Sequence, residues 1–175
     1  MKSWLKMLII LFSVPLIAIL SFASYYLINN LQGIIEPYQI GNPGADQKIL
    51  IASQGSDFKE SLLYELTEEI QDKERFLSIV DCTQLDREDL SKWDACVIIH
   101  TTQIHGMPKA AESFLINSDT HSNVILVTTS GGGDEEIRNF DVDGISSVSR
   151  MSVIPDLVDS ITFKLDCILN IPKAE

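Results

Sequence analysis

The sequence predicts a three-layer α/β sandwich, a parallel sheet with helices on both faces. Two observations carry that reading. Five short runs are apolar throughout, the fifth more weakly, as strands buried on both faces are. Between them stand segments whose apolar residues recur at helical spacing. With 175 residues, 45% hydrophobic and 22% charged, the chain suits one globular domain and is too short for two large ones. The formal net charge of −12 repels polyanions and argues against nucleic acid or an anionic membrane face as a partner.

The first element is a membrane segment. Residues 7–28 contain no charged side chain, and a helix of that length spans about 33 Å, one bilayer hydrocarbon core. Pro15 is expected to kink it at most. Lys2 and Lys6 lie before it, Glu36 and Asp46 after it, so the positive-inside rule leaves residues 1–6 in the cytoplasm and the bulk outside, in a single-pass protein of the cell membrane. A cleaved signal peptide competes, since Ser21-Phe22-Ala23 offers small residues where a signal peptidase reads. Length favours the anchor, because the apolar run continues through Tyr25, Tyr26, Leu27 and Ile28. A buried soluble helix is the third reading. Residues 29–47, with Gly33, Pro37, Gly41, Pro43 and Gly44, read as a tether, unless Ile34, Ile35, Tyr38 and Ile40 pack on the flank of the folded domain.

That domain is expected over residues 48–172. Its first strand covers 48–53, and Phe58, Leu62, Leu63, Leu66 and Ile70 then mark a helix. Further apolar runs cover 76–80, 95–100, 124–127 and 145–148. Pro108 opens a helix buried through Ala110, Ala111, Phe114 and Leu115, and Pro155 another through Leu157, Val158, Ile161, Leu165 and Ile168. Helices are expected in the gaps, with only a short candidate at 135–140 between the last two strands.

Open parallel sheets bind ligands beyond the carboxyl ends of their strands. Three loops qualify. After the first strand come Ser53, Gln54, Gly55 and Ser56; after the third, Thr101, Thr102, Gln103, His105 and Gly106; after the fourth, Ser130, Gly131 and Gly132. In the first, Gly55 permits close backbone approach, and the N–H groups opening the next helix favour an anion. The competing reading is a plain helix cap.

Four segments, KILIASQGSDFKESLLYEL, DREDLSKWDACVII, QIHGMPKAAESFL and NVILVTTSGGGDEE, together resemble the flavodoxin-like family over residues 48–170. The resemblance implies a five-stranded sheet in the order 2-1-3-4-5, flavin mononucleotide (FMN) at the strand ends, and electron transfer of the oxidoreductase type. Ser53, Gln54, Gly55 and Ser56 would hold the phosphate. Thr101, Thr102, Gln103, His105, Gly106, Ser130, Gly131 and Gly132 would hold the ring, and the acidic surface would steer a redox or protein partner. Phe58 stands where the family places a hydroxyl. That departure supports an alternative, a flavin-free module of the same fold tethered to the membrane.

Other chemistries are weaker. Cys82, Cys96 and Cys167 form no C-x-x-C or zinc pattern and read as packing residues, with any disulfide pairing open. His100 and His105 lack a third metal ligand nearby. No G-x-S-x-G elbow and no G-x-x-x-x-G-K loop is present.

Overall fold

The computed structural model describes residues 3–30, 32–71, 75–102, 106–133 and 140–170, and in its first helix the side chains of Trp4 and residues 11–25. It divides into two compact units, Met1–Gln32 and Gly33–Glu175.

The first unit is a single helix, α1 (Ser3–Asn30), which continues through Pro15. Apolar side chains stand exposed along it, among them Leu11, Phe12, Ile17, Phe22 and Tyr25. Among the described residues no helix is long and apolar enough to cross a membrane, so the span expected over residues 7–28 is not supported by the fold.

The second unit is built on six strands: β1 (Tyr38–Ile40), β2 (Gln47–Ser53), β3 (Arg75–Asp81), β4 (Ala95–Thr101), β5 (Val124–Ser130) and β6 (Asp143–Val148). Their order is β1-β3-β2-β4-β5-β6. β2 to β6 pair in parallel, as the apolar runs predict, and these five strands alone run 2-1-3-4-5, the order the resemblance implies, with β1 added as a sixth. Alternate residues of β2 to β5 feed two cores. Ile49 and Ile51 face one, Leu50 and Ala52 the other, and for that reason the strands read as unbroken apolar runs. The first core lies under α2 (Asp57–Ile70) and α4 (Ile154–Leu169), through Leu62, Leu66, Leu157 and Ile161. The second lies under α3 (Lys109–Ile116) and a 3-10 segment, Cys82–Arg87, through Phe114, Leu115 and Leu85.

Two features depart from the expected layout. The segment read as a tether is partly built into the sheet, where β1 pairs antiparallel with β3, Tyr38 opposite Ile79 and Ile40 opposite Leu77. The chain then turns at Gly41, whose φ of 87° and approach to the Arg75 carbonyl leave no room for a Cβ. The crossover from β3 to β4 also lacks the expected α-helix and uses 3-10 segments at Cys82–Arg87 and Leu90–Lys92. Here the Asp81 and Asp89 carboxylates accept from the N–H groups of Thr83 and Ser91, two residues on. These local bonds compete with a regular helix. The helical candidate at 135–140 lies, apart from Phe140, outside the described residues. All three cysteines are free thiols, Cys82 and Cys96 buried and Cys167 exposed.

Candidate functional site

Parallel pairing of β2, β4 and β5 brings the three sequence-predicted loops to one rim. Gln54 ties two of them together: its N–H donates to the Ile99 carbonyl at 3.3 Å and its Oε1 accepts from Thr101 N–H at 2.8 Å. Thr101 and Thr129 share a hydroxyl hydrogen bond of 2.8 Å, and Thr102 N–H donates to the Thr129 carbonyl. Ser130 Oγ accepts from Gly133 N–H at 2.7 Å, while Gly131 and Gly132 are exposed with open space around them. Gly106 is exposed too, with a φ of 75°. Gln103 and His105 lie outside the described residues.

The first loop is not an open phosphate cradle. Gly55 N–H donates to the Gly33 carbonyl at 2.8 Å, and Gly33 N–H returns to the Gly55 carbonyl at 2.7 Å, a two-residue antiparallel bridge. A Cβ on Gly55 would stand 2.7 Å from the Gly33 carbonyl carbon, so the space that glycine was expected to offer a phosphate is filled by the chain's own backbone. Ser53 is fully buried and its Oγ donates to the Gln54 carbonyl. Ser56 is the N-cap of α2, accepting from Lys59 N–H at 3.3 Å, which is the competing cap reading. Two residues beyond Gly33 on the same strap, Ile35 N–H donates to Asp81 Oδ2 at 3.0 Å and the Ile35 side chain joins the first core. The described residues of this loop do not fit an FMN phosphate.

Beneath the strap lie three ionisable groups at the end of β3 and the start of α2. Lys59 is 1% exposed, and burial pulls its ammonium down to about 8, against an opposing effect of Cys82. Burial first, then the Asp81 charge, pushes the Cys82 thiol up to about 12, with Lys59 opposing. Cys82 is therefore a neutral thiol whose Sγ approaches the Ile99 carbonyl, not a thiolate nucleophile. Enclosure likewise keeps the Lys59 amine from any substrate. Among the described residues no group of three or more His, Cys, Asp or Glu side chains is placed to hold a metal ion.

Another opening lies at the opposite end of the sheet, where β4, β5 and β6 begin. A cavity of about 720 Å³ has Leu85, Leu90, Trp93 and Phe114 in its walls, with Asp86, Glu88, Asp89, Asp94 and Asp119 around them. A second, of about 570 Å³, adds Asp141 and Asp143. Both are bordered by Asp119, Thr120 and Ser122. Trp93 is fixed by its Nε1–H bond to Glu88 at 3.2 Å and by stacking on Phe76 with centroids 6.2 Å apart. Asn123 Nδ2 donates to the Trp93 carbonyl at 3.0 Å, and the buried Asn123 Oδ1 has no hydrogen-bond partner among the described residues.

No family model matches the chain. No curated protein matches it either. Among solved structures it is similar to the one described as the crystal structure of Smu.1420 from Streptococcus mutans UA159, at 13% identity and a TM-score of 0.42, over 71% of this chain and 100% of that one.

The residues lining these cavities were missed in the sequence, although a signal for them exists. Strand starts in a parallel sheet share a rim just as strand ends do. The acidic, tryptophan-bearing approach to the third run and the polar loop before the fourth therefore had to meet.

Proposed function

We propose that this chain is a membrane-anchored domain of flavodoxin-like type that works without flavin, as an interaction module. The bridge between Gly33 and Gly55 carries this reading, since it uses the N–H group and the space a phosphate would need. Four further side chains expected to bind the cofactor are engaged within the protein: Gln54 with Thr101, Ser56 with Lys59, Thr101 with Thr129, and Ser130 with Gly133. Anchoring through residues 7–28 is supported by the continuous helix α1 and by the absence of charge in that stretch. The lysines before it and the acids after it support placing the second unit outside the cell.

The test is direct. The full chain, purified in detergent and mixed with FMN at about 50 µM, well above the range of a resident cofactor, is desalted and its visible absorbance recorded. Colourless protein is expected. Retention of one flavin per chain would overturn this reading in favour of an FMN-dependent oxidoreductase.

A further inference from the structure

We propose that the strap Gly33–Ile35 is a latch that lifts off the first rim loop while the rest of the domain stays folded, and that protonation of Lys59 beneath it drives the opening. The device goes beyond the interaction-module reading and does not depend on it.

The strap is lightly fastened. It lies at the start of the second unit, and only its downstream end continues into that unit's sheet, where β1 pairs with β3. Its fastenings are the two backbone hydrogen bonds between Gly33 and Gly55, the Ile35 N–H bond to Asp81 Oδ2, and the buried Ile35 side chain. Gly33 and Ile34 are exposed, as are Glu36 and Pro37, which join the strap to β1. Opening free energies within one domain range from near zero to that of global unfolding. A segment at the edge of a unit, held by so few contacts, belongs to the lower part of that range.

The two elements that the strap joins also enclose Lys59. Gly55 leads into α2 and Asp81 ends β3, while Lys59 stands in the first turn of α2 and acts electrostatically on Cys82, next to Asp81. Lys59 is almost wholly buried although Asp57 and Glu60 in the same turn are exposed. Lifting the strap admits water to its ammonium, so the closed strap carries the desolvation that holds Lys59 at about 8. The neighbouring Asp81 carboxylate is committed to Ile35 and Thr83. Glu36 on the strap and Asp156 and Asp159 on α4 are exposed to water, and His100 ends β4 on the face opposite Ile99.

The sign follows from hydration. Charged Lys59 favours the open strap, in which it titrates near the ordinary 10.5. Between 8 and 10.5 the open form holds a proton that the closed form has lost, so rising pH closes the latch.

Amide hydrogen exchange on the full chain in detergent tests both halves of the proposal. At Gly33, Ile35 and Gly55 the exchange rate, divided by the intrinsic rate at the same pH, gives an opening constant. Ile51, buried within β2, is the reference for global unfolding. The strap amides should open about 100-fold or more as often as Ile51, and should respond little to guanidinium at up to about 0.5 M, where Ile51 responds steeply. Their opening constant should fall about tenfold from pH 7 to pH 9 in the wild-type chain and stay level in Lys59→Met. Strap amides that track Ile51 through guanidinium would show that the latch opens only when the domain unfolds, which overturns the proposal. An opening constant that stays level from pH 7 to pH 9 in the wild type, or falls equally in Lys59→Met, overturns it as well. Should that variant not fold, the guanidinium and pH series on the wild type decide alone.

Discussion

Lys59 sits where its charge works against the fold. Burial holds its ammonium at about 8, below the ordinary 10.5. Between those two values the unfolded chain binds the proton that the folded chain has released, so stability rises with pH through that window and the cost is greatest below pH 8. Cys82 acts in the opposite sense. Its folded value of about 12 lies above the ordinary 9.0, so the unfolded chain ionises first and stability falls once pH passes 9. Burial raises the Cys96 thiol as well, with the same sign. Both thiols begin to act between pH 8 and 9, so the lysine is isolated by comparison with a variant that lacks it. Lys59→Met keeps an unbranched side chain of similar length and removes the titration. Relative to that variant, the wild-type chain should gain about 1 kcal/mol of unfolding free energy between pH 8 and 9, measured by denaturant titration. Curves for the two proteins that stay parallel would show that Lys59 does not titrate in this range.

At the scale of elements, the strap from Gly33 to Ile35 is the feature that covers the first loop of the carboxyl rim. It depends on a contact between two backbones, so Gly55→Ala should strain it: the new methyl meets the main chain of Gly33 rather than a movable side chain. Overpacking of this kind costs about 1–3 kcal/mol. It should appear as a lower Tm together with faster amide exchange at Gly33 and Ile35, the donors to Gly55 and Asp81. Exchange at Ile35 that matches wild type would mean that the bridge does not fix the strap. The same element marks the limit of what the sequence discloses. Strands β2 to β5 were legible because their residues alternate between two apolar cores, Ile49 and Ile51 against Leu50 and Ala52, and α2 and α4 because their buried residues keep the helical period. The meeting of the three loops at one rim followed from parallel pairing. A glycine-to-glycine bridge carries no side-chain pattern, however, so the loss of the Gly55 N–H to Gly33 could not be read. Strand β1, three residues long, is too short to show alternation. The 3-10 crossover after β3 was set by single Asp side chains rather than by a repeat.

For the whole molecule, the proposed membrane anchor rests on the division of charge and apolar residues along the sequence. Residues 7–28 carry no charge, while all 25 acidic side chains follow them and only Lys2 and Lys6 precede them. Among the described side chains of α1 at residues 11–25, only Ser13, Ser21, Ser24 and Tyr25 carry a polar group. On the proposed anchoring, its exposed Leu16, Ile17, Ile19 and Leu20 would face lipid. The full chain should therefore remain in the membrane pellet through alkaline carbonate extraction. Ile17→Arg places a charge near the middle of the span at a cost of about 2.5–3.5 kcal/mol for insertion, and should move a measurable share of the chain to the supernatant. Orientation is tested separately. If the proposed orientation holds, protease added to intact cells should remove the second unit, and Lys2→Glu with Lys6→Glu should leave a protected fraction, because that orientation relies on these positive charges. Complete release of the wild-type chain by carbonate would exclude the anchor, and full protection in intact cells would reverse the orientation while leaving the anchor intact.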